Sequence, residues 1–136
     1  MKKILMISLL SVVAGCASPA SMSENTVNAP AMPVFFQSFS AALDDSATMS
    51  IATAAKAANA RPDATVYVTG AADSVGSPLA NEYLSETRAQ VVADALVADG
   101  VAPGRIRTHA VGITSAPVPV GTPAQSARRV LIQIAD

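Results

Sequence analysis

Among the charged residues of this sequence, Arg88 sits in the least ordinary surroundings. It belongs to LANEYLSETRAQVVADAL, residues 79–96. On a helix, Leu84, Val91, Val92, Ala95 and Leu96 gather on one stripe. Arg88 follows Leu84 by four residues and falls about 40° round the axis from it, inside that stripe. Glu86, Gln90 and Asp94 take the other side. An unpaired charge on an apolar face is costly, so the guanidinium needs a partner. Its planar fork of N–H donors suits a carboxylate best.

Catalytic chemistry has little to build on. His109 is the only histidine and Cys16 the only cysteine, which argues against a zinc site or a Cys–His pair. No Gly-x-Ser-x-Gly nucleophile elbow occurs. A binding protein is expected rather than an enzyme, with neither cofactor nor metal. Nine basic residues against ten acidic ones give a net charge of −1, and no basic run is present. Nucleic acid is therefore not an expected partner.

Cys16 carries a different chemistry. MKKILMISLLSVVAGC has two lysines, then an apolar run from Ile4 to Val13, then small residues. This is the pattern of a secretory signal, too short for a spanning helix. Val13-Ala14-Gly15-Cys16 resembles a bacterial lipobox, which implies cleavage after residue 15 and lipidation of Cys16. The non-acidic Ala17 suits outer-membrane delivery, with the domain facing the periplasm. Losing Lys2 and Lys3 leaves 7 basic against 10 acidic residues, so the net charge falls to −3. Residues 16–32 are small and polar with two prolines, and read as a flexible tether. Such a segment spans at most about 50–55 Å extended, or about 20–25 Å as a coil.

Residues 33–136 then form one domain. PVFFQSF, residues 33–39, predicts a short apolar strand. Residues 46–60 are alanine-rich and predict a helix, with Asp44 or Asp45 as N-cap and Arg61-Pro62 as the stop. ATVYVTG, 64–70, alternates as a strand. Ser77-Pro78 suits the N-cap and first position of a second helix that closes on Gly100. RIRTHAVG, 105–112, and VLIQIAD, 130–136, are the last strands, separated by a proline-rich loop. The order β-α-β-α-β-β predicts an α/β sandwich, a mixed sheet with two helices packed on one face.

Asn81-x-x-Leu84-Ser85-x-x-Arg88-Ala89-x-x-Val92-x-x-x-Leu96 matches the signature of OmpA-like C-terminal domains. Gly70-Ala71-Ala72-Asp73-x-x-Gly76-Ser77 resembles that family's Gly-His-Thr/Ala-Asp turn, and Ala127-Arg128-Arg129-Val130 its Asn-Arg-Arg-Val run. The resemblance, with the lipobox, is to the peptidoglycan-associated lipoproteins. It implies non-covalent binding of peptidoglycan through diaminopimelate. Asp73 would accept hydrogen bonds from the ligand's ammonium and Arg88 would hold its carboxylate. A wall with lysine in place of diaminopimelate lacks that carboxylate, which is the basis for discrimination.

A second reading of the same residues is a structural ion pair between Asp73 and Arg88. Asn81 and Ser85 are expected to brace the backbone. One of Arg128 and Arg129 could support the site, although solvated strand-edge charges are the default. Two polar family positions are alanine here, Ala71 and Ala127. The altered pocket and short tether keep open a different role: a structural subunit of an envelope-spanning secretion or motor complex, using the domain for protein contacts.

Overall fold

A computed structural model describes residues 29–136; the leader, Cys16 and the tether up to residue 28 lie outside the described residues. Strand β1 (Ala31–Phe35) is followed by α1 (Asp45–Asn59), β2 (Thr65–Ala72), α2 (Pro78–Ala98), β3 (Ile106–Ile113) and β4 (Arg129–Ala135). The sheet order is β1-β4-β2-β3. β4 runs antiparallel to both β1 and β2, while β2 and β3 are parallel. The expected β-α-β-α-β-β order and mixed sheet are present. Among the described residues, no helix is long and apolar enough to cross a membrane.

Local chemistry sets the helix limits. The Asp44 side chain accepts from the Ala47 N–H at 2.8 Å and caps α1. Ser77 does the same for α2 through the Ala80 N–H at 3.1 Å, with Pro78 in the first turn. These contacts satisfy donors that have no partner within the helix. At the far end of α2, Gly100 adopts φ +96°, the left-handed geometry that ends helices most readily in glycine. Arg105 donates to the carbonyls of Ala58, Arg61 and Ala64, and so closes the C-terminal end of α1 against the start of β2.

The core lies between one sheet face and the two helices. Alternation places Val66 and Val68 of β2 with Val130, Ile132 and Ile134 of β4 on the buried face. Ile51, Ala54, Ala55 and Ala58 of α1 and Ala89, Val92 and Leu96 of α2 cover them. Small residues bring α2 very close to the sheet. A Cβ added at Gly70 would lie 1.9 Å from the Ser85 carbonyl oxygen, a main-chain atom with no room to yield.

β1 departs from the sequence expectation. It begins at Ala31 and ends at Phe35, rather than running from 33 to 39. Val34 and Phe36 point to the core. Continued alternation would bury Ser38 and expose Phe39, so the strand gains nothing by continuing. The chain turns over Gln37–Ser40 instead.

Gly70→Ala should destabilise the domain by about 3 kcal/mol or more, since overpacking of a flexible core already costs about 1–3 kcal/mol and here the obstacle is backbone. Gly104→Ala, where nothing lies within 4 Å of the added carbon, should be neutral or slightly stabilising. Urea unfolding of the two variants checks the contrast.

Candidate functional site

The antiparallel placement of β4 against β1 and β2 brings three chain segments to one end of the sheet. These are the turn after β1, the turn after β2 and the start of β4. Arg88 reaches this point from α2. The buried residues of α2 are Asn81, Ser85, Arg88, Ala89, Val92, Ala93 and Leu96, whereas Leu84, Val91 and Ala95 are half-buried. The fully buried face is therefore rotated from the apolar stripe, and Arg88, which lies inside that stripe, stands at one edge of the fully buried face. Polar Asn81, Ser85 and Arg88 occupy the half that meets the turns.

The Arg88 side chain is completely buried, with an exposure of 0%. Its Nε donates to the Ser40 carbonyl at 2.9 Å, Nη1 to the Ala71 carbonyl at 3.0 Å and Nη2 to the Gln37 carbonyl at 3.0 Å. Cζ also sits 5.2 Å from the centroid of the Phe36 ring, a cation–π distance. Ala71 can offer its carbonyl because β2 pairs with β4 only as far as Gly70 and slips register against β3 between Gly70 and Ala72. Three of the five guanidinium N–H groups are thus engaged, which leaves two.

Asp73 does not pair with Arg88. Its Oδ2 accepts from Arg128 Nη1 at 2.9 Å and from the Ala124 N–H at 3.2 Å, and its Oδ1 accepts from the Val75 N–H at 3.3 Å. Arg128 also donates from Nε to the Phe36 carbonyl at 3.1 Å. Both members of the pair are largely buried, so Arg128 is not the solvated strand-edge charge expected by default. Arg129 donates to the Ser126 carbonyl and stays outside the cluster. Asn81 Nδ2 donates to the Val75 carbonyl at 2.9 Å and fixes the turn after Asp73. Ser85 accepts from the Gly112 N–H at 3.0 Å and holds α2 to β3. Cys16 falls outside the described residues. Among those residues, no group of acidic, histidine or cysteine side chains could hold a metal ion.

Charge explains what the arrangement can do. Burial pushes Arg88 down to about 10, with Asp73 opposing the shift and Arg128 adding to it. The group stays cationic at neutral pH. Burial raises the Asp73 carboxyl, but the Arg128 bond and the Ala124 and Val75 amides outweigh it and hold the group below its ordinary value. Two guanidinium groups with one carboxylate, paired to Arg128, give the cluster a net charge of +1 and leave Arg88 with no acid of its own. Such a site favours an anion that brings its own acceptor oxygens.

The turn at 37–40 is the part that sequence reasoning missed. Gln37 and Ser40 act through main-chain carbonyls, which no side-chain pattern advertises. The available signal was the break in alternation after Phe36.

Two outcomes follow from this geometry. Arg88→Met removes three hydrogen bonds from a charged donor, each worth about 1–3 kcal/mol, and leaves the buried Ala71 carbonyl unpaired, so urea unfolding should show a loss of at least about 3 kcal/mol. Asp73 has a lower folded than unfolded pKa, so its stabilisation is complete above the unfolded value near 3.8 and is lost as pH falls through the folded one. Asp73→Asn should therefore flatten the loss of stability below about pH 4, measured by thermal unfolding across the acid range.

The model of the OmpA family matches residues 35–129. Among solved structures, the chain is similar to the peptidoglycan-associated lipoprotein from Burkholderia pseudomallei, with TM-score 0.67 and 23% identity over 76% of this chain and 89% of that one. The C-terminal domain of Helicobacter pylori MotB gives TM-score 0.68 and 23% identity over 76% and 84%. The OmpA-like domain of FopA1 from Francisella tularensis gives 0.66 and 25% over 76% and 70%. No curated protein matches the chain. With the family model spanning most of the chain and the fold in the expected order, the chain belongs to the OmpA family.

Proposed function

We propose that this protein binds peptidoglycan non-covalently through diaminopimelate, and that it does so by recognition rather than catalysis. One observation carries the reading: Arg88 is a buried cation without an acidic partner, next to a carboxylate already held in place. The free end of diaminopimelate has an ammonium and a carboxylate on one carbon. Its carboxylate supplies the charge that Arg88 lacks, and its ammonium can donate to Asp73 Oδ1, which has only one long hydrogen bond. The guanidinium is sealed by the carbonyls of the 37–40 turn, so ligand entry involves a shift of that turn. The resemblance to a peptidoglycan-associated lipoprotein supports the same ligand class. In this reading Cys16 is lipidated, the anchor lies in the outer membrane, and the domain faces the periplasm.

A second reading also has support. The chain's own carbonyls satisfy much of Arg88 without a ligand, and similar folds include MotB periplasmic domains. Here the domain is a structural subunit of an envelope-spanning complex, and its surfaces serve protein contacts.

Full-length protein in detergent should sediment with diaminopimelate-type wall and stay in solution with lysine-type wall. Free diaminopimelate should compete, and folded Asp73→Asn should bind about tenfold more weakly or worse, as expected for a lost charge-assisted hydrogen bond. Folded wild-type protein that ignores both walls would point to the protein-contact role. Mass analysis of the mature N-terminus tests Cys16: an unmodified cysteine there would remove the anchor.

A further inference from the structure

Phe39 combines two features that ordinary folding does not explain. Among the described residues it is the single non-glycine residue with positive φ, at 55°. A bulky side chain is rare there because Cβ crowds the backbone, and asparagine or aspartate is the usual non-glycine occupant. The ring is also 70% exposed, so core packing does not compensate for the strain. The turn that displays it is clamped, since Arg88 holds the carbonyls of Gln37 and Ser40 on either side. A further bond runs from the Ser40 N–H to the Gln37 carbonyl at 3.3 Å. Phe39 Cε1 lies 3.9 Å from the point a Cβ on Gly76 would occupy, which places the ring edge against the turn that carries Asp73. A strained, exposed aromatic thus stands at the seam between the two turns that enclose the ionic cluster.

We infer that Phe39 is a specificity-determining residue, its ring taking the aliphatic arm that carries the ligand's amino-acid head. This rests on the diaminopimelate reading and adds a selection by arm. Asp73 and Arg88 lie at depth, at 6% and 0% exposure, so a head that reaches them trails its arm through the seam. The ring offers methylene groups an apolar surface there and offers nothing to a head without an arm. The ligand class is an amino-acid head on an unbranched aliphatic chain. Strain held at a binding position, where it costs stability, is consistent with this use.

The test uses full-length protein in detergent bound to diaminopimelate-type wall, with diaminopimelate, norleucine and alanine as competitors. Norleucine and alanine share the head, but only norleucine has the arm. Wild-type protein should be displaced by norleucine at about five- to tenfold lower concentration than by alanine, in the range of small apolar discriminations. In Phe39→Asn that ratio should fall towards one while the melting midpoint rises by a few degrees, because asparagine tolerates the turn. Phe39→Leu should keep part of the ratio, which a simple folding defect would not allow. Asp73→Asn should weaken all three competitors alike. An undiminished ratio in Phe39→Asn would overturn the inference while leaving the diaminopimelate reading intact. Wild-type protein that diaminopimelate cannot displace from the wall would overturn both.

Discussion

The buried guanidinium of Arg88 is the interaction on which this end of the domain depends. It joins α2 to the end of β2 and to the turn after β1 by donating to three carbonyls from those two segments. None of those carbonyls belongs to a regular ladder, and without Arg88 the buried Ala71 carbonyl would be left unpaired, the costly case. Only arginine can serve here. Lysine concentrates its charge and donors at one atom and cannot span three acceptors in a plane. Carbonyl dipoles solvate the cation but do not neutralise it.

The second charge pair completes the arrangement by withholding its acid. Asp73 is committed to Arg128 and to two backbone amides, which hold the turn after β2 in shape. A direct pair with Arg88 would have moved the surplus charge to Arg128, away from the buried end of α2. Instead the one carboxylate pairs with Arg128, and the surplus positive charge stays on Arg88 beside an acid whose Oδ1 has a single long hydrogen bond. The pattern complements a zwitterionic head: an anion for the buried cation, a cation for the half-used carboxylate. In the proposed reading, Phe39 and Gly76 mark where that head would enter.

Much of the fold was legible because it depends on local chemistry. The caps at Asp44 and Ser77, the proline at position 78 and the glycine at position 100 act within a few residues of themselves. The alternation in β2 and β4 also reports burial directly. The site was only partly legible. Motif spacing singled out Arg88 and Asp73, and the apolar stripe contained Arg88, but that stripe gave no sign that Asn81 and Ser85 are buried beside it. The reason is physical: polar Asn81, Ser85 and Arg88 are buried through hydrogen bonds, and periodicity of apolar residues registers only hydrophobic burial. The overlong first strand has the same cause. The aromatic at position 39 looks like a strand residue in sequence, but it lies in a turn and is exposed.

The sequence by itself determined the kind and order of elements, where the helices begin and end, and that an arginine without an obvious partner would have to be accommodated. It also set the leader-like start and the single cysteine at position 16. Only the tertiary structure decided which charges meet. Asp73 and Arg128 lie 55 residues apart, and the partners of Arg88 lie 17, 48 and 51 residues away. Such pairings depend on how β4 inserts between β1 and β2, a long-range choice that local propensity does not encode. Main-chain carbonyls are identical in every residue, so their use as the ligands of Arg88 could appear only once the chain had folded around it.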